Sequence, residues 1–562
     1  MTKLKTFRRI SVFFSIASLT VIPLAGCNSN TAKPPGVINV SKNANSSLNN
    51  QSGNNESHVT RKVSNKRASQ IKTKLTTTGL TIAQENRLPG TTAWRITRPA
   101  HGRIQGYASL DSVNQGGKLT FYVSTWYTGT LYNIKIFRMG YYQGKGGRLM
   151  KTTPLLKSRA QGWWNSKSGG HHLPQQKNPK GFLHLNWKPS YQLKVPPSWV
   201  SGYYLALLTD AHGYQSYIPF IVRSDTQPHE FLVDVPVNTW QAYNYWGDWS
   251  FYGHYAKTTR KQKGYAGNNA IEVSFNRPYS ADNGAGLTFL EYPTVYWMEK
   301  EGYNVSYTTS VALDEGTTQW TPKGFISVGH DEYWTGKMRN RVTHMLNSGV
   351  NLAFLGANDM YWKVRYSDNH RTLIGYRWES KRDPLRGTPE QTGGWRYIGN
   401  PESTLLGQMY QGQPRGDNAT WSDPNWIVSD PSNWLYKGLH VYKGEAVRNI
   451  IGWEYDSALS STYSRKALHN KNDVIISASP VIDRAYKNKK EYMTTSIYKA
   501  KSGAYVFDAG TTWWGYGLSN PMHYQIYEGI AMKKPDYVSP SPIIQGVTRN
   551  LLNRFMEPAA KV

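Results

Sequence analysis

A chain of 562 residues, 39% hydrophobic and carrying 21 Trp and 39 Tyr, can bury more than one sizeable core, which excludes a wholly disordered protein. Its formal net charge of +30 directs it towards anionic surfaces and away from acidic self-repulsion. The single cysteine, Cys27, excludes an intramolecular disulfide and leaves no thiol nucleophile in the body of the chain.

Lys3, Lys5, Arg8 and Arg9 precede an apolar run from Ile10 to Ala25 that is interrupted by Ser and by Pro23. So short and broken a run reads as a secretory signal peptide over residues 1–26, not as a membrane span. Leu24-Ala-Gly-Cys27 resembles a bacterial lipobox, which implies cleavage before Cys27 and lipidation of its thiol and new amino group. The expected location is therefore extracytoplasmic, at the cell membrane, anchored through lipid on Cys27. There the positive charge meets anionic lipid and cell-wall polymers, and nucleic acid is not an expected partner. Residues 27–78 are rich in Asn, Ser, Lys and Thr and free of aromatics. They bury too little apolar surface to offset their ordering entropy, so a disordered basic tether is expected.

Residues 79–225 carry a two-residue period. Lys118-Leu-Thr-Phe-Tyr-Val-Ser-Thr125 and Tyr132-Asn-Ile-Lys-Ile-Phe137 alternate apolar with polar, and Tyr203–Leu208 and Tyr217–Val222 flank a turn at Asp210-Ala-His-Gly213. That pattern predicts an all-β sandwich domain. Its Arg138-Met-Gly-Tyr-Tyr-Gln-Gly-Lys-Gly-Gly-Arg148 stretch lacks the Gly-Lys-Ser/Thr ending and following helix of a phosphate loop, and reads as a glycine hairpin.

From residue 226 to 562, strands alternate with helices, which predicts an α/β domain with a layered, mostly parallel sheet. Its centre is Phe325-Ile-Ser-Val-Gly-His330-Asp-Glu332-Tyr-Trp334. A buried strand ends at Gly329, Thr335 caps a helix carrying Met338, Val342 and Leu346, and Val350–Leu355 forms the next strand. Ligands bind beyond the carboxyl ends of such strands. An extended 330–332 would point His330 and Glu332 to one side, where a metal or substrate meets both. A helix ending at Gly302 and a last helix with Ile544, Val547, Leu551, Leu552 and Phe555 on one face complete the pattern.

Gly-His330-Asp-Glu332-Tyr-Trp, the Glu291–Tyr303 helix and Asn351-Leu-Ala-Phe-Leu-Gly-Ala-Asn358 together resemble the large (beta) subunit of N,N-dimethylformamidase and its relatives. The Gly-Tyr-Tyr-Gln-Gly element at 140–144 resembles part of the β domain ahead of that subunit's catalytic domain. The resemblance runs from roughly Thr91 to Pro558 and implies an amidotransferase-like α/β domain and an iron(III) amidohydrolase acting on a small amide. It implies Tyr243 and Tyr252 as phenolate ligands, Glu332 as the carboxylate ligand, His330 as a base or substrate anchor, and Glu454 as a second functional carboxylate.

That implied set is chemically coherent. Iron(III) is a hard ion that prefers oxygen donors, and it stabilises phenolate although free Tyr ionises only near about pH 10. Two other readings compete: a surface protein whose exposed aromatics hold glycan without catalysis, and a glycoside hydrolase using Glu332 and Glu454 as its carboxylate pair. A serine hydrolase is disfavoured because the chain has no Gly-x-Ser-x-Gly. The lipobox resemblance predicts that the full chain sediments with membranes in its bacterial host, and that Cys27→Ser releases it. Membrane retention of Cys27→Ser after a high-salt wash would refute lipid anchoring.

Overall fold

The computed structural model describes residues 79–165, 171–172, 182–254, 269–280, 290–415, 424–452, 454–459, 473–484, 488–521 and 539–557. The expected signal peptide, Cys27 and the tether lie outside them. The described chain is β-rich, with several sheets and fewer helices.

In Lys118–Thr125, Leu119, Phe121 and Val123 are buried while the residues between them are more open, as the two-residue period requires. This strand pairs antiparallel with Ile104–Ala108 and Tyr191–Lys194. A six-stranded sheet runs in the order Ser112–Asn114, Gln215–Arg223, Gly202–Asp210, Leu131–Met139 and Gly147–Thr152, with Leu156–Lys157 beside Leu131–Met139. The two sheets share one core in which Leu119, Phe121 and Val123 meet Ile134, Ile136, Leu208 and Phe220. The glycine hairpin is present: Arg138 opposes Arg148 across a tight turn at Tyr142–Gly144.

Residues 79–562 form one compact unit. The strand Gly202–Asp210 explains why, since it is buried on both faces. Tyr204, Ala206 and Leu208 enter the core between the two sheets. Tyr203, Leu205 and Leu207 enter a second core shared with Val233, Val235 and Tyr307. An ion pair locks the same junction: the Arg138 guanidinium donates to both Glu299 oxygens at 2.8 and 2.9 Å, with neither side chain exposed. Glu299 also accepts from Asn86 and Tyr307.

The larger sheet has eight strands: β1 (Phe231–Val235), β2 (Val305–Thr309), β3 (Gly324–Gly329), β4 (Asn351–Gly356), β5 (Pro414–Arg415), β6 (Val474–Asp483), β7 (Lys489–Lys499) and β8 (Tyr505–Asp508). Its order is β2-β1-β3-β4-β8-β7-β6-β5. The pairs from β2 through β8 are parallel, and those from β8 to β5 are antiparallel. The parallel strands are near-continuous apolar runs because both their faces are covered. Val233, Ile326, Val328, Ala353, Leu355 and Phe507 feed one core. Their neighbours Leu232, Phe325, Leu352, Phe354 and Val506 feed another.

Helices contribute to each core. Six of them, in chain order, are α1 (Val237–Ala242), α2 (Tyr292–Glu301), α3 (Ser310–Glu315), α4 (Gly336–Asn347), α5 (Trp514–Leu518) and α6 (Pro542–Met556). Thr335 caps α4 by accepting from the Met338 N–H, and Met338, Val342 and Leu346 face the sheet. α2 ends at Gly302 in the left-handed conformation (φ 84°). The sequence shows no sign of a second, smaller sheet, in which Tyr333–Thr335 runs parallel to Trp362–Ser367. At three residues the former strand is too short to announce itself by period.

Glu299→Ala leaves the Arg138 charge buried without its partner. It is expected to lower unfolding stability by about 3–5 kcal/mol. Urea unfolding of the folded chain measures this, and a loss below about 1 kcal/mol would remove the ion pair from the junction.

Candidate functional site

The site lies where β3 and β4 run out. Gly329 ends β3 with φ 80°, a left-handed turn that suits glycine. The chain then lays down His330, Asp331 and Glu332 without regular pairing. The loop after β4 is bound tightly to this one: the Met360 N–H donates to the Asp331 carbonyl, the Trp362 N–H to the Glu332 carbonyl, and the Asp331 N–H to the Asp359 carboxyl. A Cβ at Gly356 would stand 2.4 Å from the Gly329 carbonyl oxygen, so only glycine permits this approach.

Alternation along 330–332 sends His330 and Glu332 one way and Asp331 the other. His330 Nε2 lies 3.2 Å from Glu332 Oε2, whereas Asp331 accepts from the Ser327 hydroxyl at 2.9 Å. The Glu332 N–H donates to Thr239 Oγ1 (3.0 Å), which ties the motif to α1.

α1 delivers Tyr243 at its C-terminal cap. Tyr252 lies in the turn between the short paired strands Trp249–Ser250 and Gly253–His254. The Phe251 N–H bonds the Ala242 carbonyl, which brings the two tyrosines together with ring centroids 4.2 Å apart. The Tyr243 hydroxyl donates to Glu332 Oε2 at 2.8 Å. The Tyr252 hydroxyl lies 2.7 Å from the Tyr243 hydroxyl and 3.0 and 3.1 Å from the two Glu332 oxygens. Glu454 arrives from the far end of the chain, 3.3 Å from His330 Nε2. All five candidate residues therefore meet in one cluster, with His330, Glu332 and Glu454 buried and Tyr243 and Tyr252 partly buried.

Sequence reasoning missed several neighbours. Tyr333 stands in the motif itself, and its hydroxyl donates to the Tyr252 hydroxyl at 2.7 Å. Asn358, at the end of the Asn351–Asn358 stretch, donates to Glu454 Oε2 at 2.9 Å. The Arg377 guanidinium sits 4.4 Å from the centre of the Tyr252 ring and hydrogen-bonds the Phe251 carbonyl. The Tyr410 hydroxyl faces Glu454 closely enough for each to shift the other's ionisation. Nothing in the local sequence marks Arg377 or Tyr410, because both lie in a stretch without periodicity.

Burial, followed by the Glu332 charge, pushes the Tyr243, Tyr252 and Tyr333 hydroxyls well above their ordinary pKa. Burial alone would lower the His330 pKa, but the Glu454 and Glu332 carboxylates outweigh it and push it up to about 10. His330 Nδ1 meanwhile donates to the Ala357 carbonyl (3.1 Å), so an imidazolium is held with both ends occupied. Burial raises Glu454 to about 7 against the pull of His330. Below the cluster, Asp331, Asp359, Asp456 and Asp508 are buried, and Asp359, Asp456 and Asp508 accept backbone N–H groups of the loops. These carboxyls hold the strand ends together.

Among the described residues no group of three or more His, Cys, Asp or Glu could hold a metal ion. The oxygen set here differs, with two phenols and one carboxylate within 3.1 Å of one another. Such a set fits a hard, highly charged cation and would suit a soft one poorly.

A family model described as N,N-dimethylformamidase beta subunit-like, C-terminal, matches residues 133–526. The chain belongs to that family. Membership of the N,N-dimethylformamidase beta subunit-like family points to amidohydrolase chemistry in general terms, and the matched span contains all five clustered residues. No curated protein matches the chain. Among solved structures, Pseudomonas fluorescens alkylpurine DNA glycosylase AlkC bound to DNA containing an abasic site analog is matched at 9% identity and a TM-score of 0.14. The match covers 22% of this chain and 31% of that one, and supports no conclusion about fold or function.

Gly356→Ala forces the two loops apart. It is expected to cost about 1–3 kcal/mol of stability. Denaturant unfolding checks this, and unchanged stability would show that the loops are less closely packed than described.

Proposed function

We propose that this chain is an extracytoplasmic, lipid-anchored, iron(III)-dependent amidohydrolase that cleaves C–N amide bonds of a small substrate. Tyr243, Tyr252 and Glu332 would hold the ion. The observation that carries the reading is the convergence of those three oxygen-bearing side chains beyond the ends of parallel strands, with an imidazole and a second carboxylate beside them. The accompanying fold proposal is an amidotransferase-like layered α/β domain, supported by the parallel run β2-β1-β3-β4-β8.

When bound, a trivalent ion supplies Lewis acidity, polarising an amide carbonyl and acidifying a water. The protein's own groups do the rest. Glu332 accepts hydrogen bonds from both phenols and so sets their spacing. Arg377, over the Tyr252 ring, favours the anionic form of that phenol. Glu454 is poised near neutrality by burial, so it can take a proton from water and return it to the leaving amine. Asn358 fixes Glu454 Oε2, and His330 lies between the two carboxylates and balances their charge.

The glycosidase alternative is weaker on the same geometry. A carboxylate pair that cleaves glycosides leaves a gap for the sugar and, in inverting enzymes, for water. Here His330 Nε2 contacts both Glu332 and Glu454. The glycan-binding reading without catalysis gains nothing from a largely buried oxygen cluster.

The purified mature chain is expected to carry about one iron per molecule, measured by elemental analysis, and to show a visible phenolate-to-iron absorption band. Tyr243→Phe and Tyr252→Phe should each bleach that band, whereas Glu454→Gln should keep iron and colour while amide hydrolysis falls by roughly 100-fold or more. A correctly folded chain that takes up no iron when offered it would overturn the proposal.

A further inference from the structure

Two exposed aromatic rings lie outside the cluster, one layer of buried side chains away from it. Trp378 is 59% exposed and Tyr397 is 51% exposed, and their centroids lie 5.6 Å apart. Exposed apolar side chains scattered singly need no explanation, but adjacent ones that pack back towards a polar site do. Tyr127 and Tyr442 are exposed as well, yet neither has a ring partner among the described residues.

Trp378 and Tyr397 are connected to the cluster by two independent routes. On one, Trp378 packs edge-on against Tyr361 (6.2 Å), Tyr361 against Tyr410 (5.3 Å), and Tyr410 faces the carboxyl of Glu454. On the other, Trp378 packs against Trp362 (4.7 Å), Trp362 lies 5.7 Å from the Arg377 guanidinium, and Arg377 covers Tyr252. Tyr361 and Trp362 are buried, so the exposed rings form the outer layer of an aromatic wall whose inner layer touches the site.

The backbone is bent to put the rings there. Arg377 holds φ 45°, a left-handed conformation costly for a long side chain, and this sends its guanidinium inward to Tyr252 while the next residue, Trp378, faces out. A Cβ at Gly394 would stand 2.5 Å from Tyr397 Cδ2, so the bare glycine lets the Tyr397 ring lie across the chain. The Tyr397 hydroxyl reaches to 3.4 Å from that of Tyr361. Strain and close packing that hold two large rings in water point to a ligand that covers them.

We propose that Trp378 and Tyr397 form a stacking platform for a flat-faced ring carried by the substrate, so that the site takes ring-bearing amides in preference to small N-alkyl amides. This rests on the amidohydrolase reading for its reaction and on the aromatic wall for its specificity. The ring belongs to an aryl amide or to an N-acylated hexosamine, since both offer a face that packs on indole and phenol.

The test compares iron-loaded mature protein with Trp378→Ala, Tyr397→Ala and Trp378→Phe on acetanilide, N-acetylglucosamine and ringless N,N-dimethylformamide. For the ring that belongs there, the ratio of its kcat/KM to that of the ringless amide should fall about tenfold in either alanine variant, mainly through KM, and recover in Trp378→Phe. The substrate showing this pattern names the ring. Equal losses on all three amides, or no change in the ratio, overturn the platform. So does a dimer in light scattering that Trp378→Ala converts to monomer, because the rings then cover a second copy. Calorimetric titration with the same ring compounds needs no turnover. Binding that disappears in Trp378→Ala, without hydrolysis by the parent protein, keeps the platform and removes the amidohydrolase reading.

Discussion

The structure of the site depends on one carboxylate placed where water does not reach it freely. Glu332 accepts from Tyr243 and Tyr252 and lies against His330, and each contact is made by a side chain from a different turn of the chain. A buried carboxylate is tolerable only when its oxygens are occupied, and here phenols and an imidazole occupy them. The same demand that makes the cluster stable makes it a ready oxygen donor set. Packing and chemistry are two consequences of one desolvated charge.

That carboxylate can be held there because the sheet supplies rigid, adjacent ends. β3 and β4 run parallel in register up to Gly329 and Gly356, and the loops that follow are bonded to each other through backbone groups. The absence of a side chain at Gly356 lets the loops approach closely, and that at Gly329 makes room for Leu290 and Glu291. Below them a row of buried aspartates takes up loop N–H groups, so the ends of the strands are fixed by polar contacts rather than by bulk. The Arg138–Glu299 pair and the doubly buried strand at 202–210 then join the smaller sheets to this frame. Residues 79–562 consequently form one compact unit although their sequence patterns change near residue 226.

Much of this was readable in the chain because it is local. The alternation at 118–125, the strand–turn–helix at 325–346 with its Thr335 cap, and the glycine stop at 302 each follow from residues within one or two turns of each other. The shared direction of His330 and Glu332 also follows from a two-residue period. Arg377 and Tyr410 were not readable. They reach the site from irregular backbone between 365 and 450, where no repeat marks which side chain turns inward.

The sequence by itself determined the secondary periods, the N-cap and the polar triplet at a strand's end, because each is a property of neighbouring residues. A family resemblance carried by those residues nominated Tyr243 and Tyr252; composition could not, since 39 tyrosines look alike along the chain. Only the tertiary structure decided that residues 243, 252, 330, 332 and 454 meet within hydrogen-bonding distance, and that Trp378 and Tyr397 pack side by side at the surface. The reason is physical. Convergence of distant segments is set by how two cores close around one sheet, and that closure depends on the summed burial of many side chains, none of which carries the information alone.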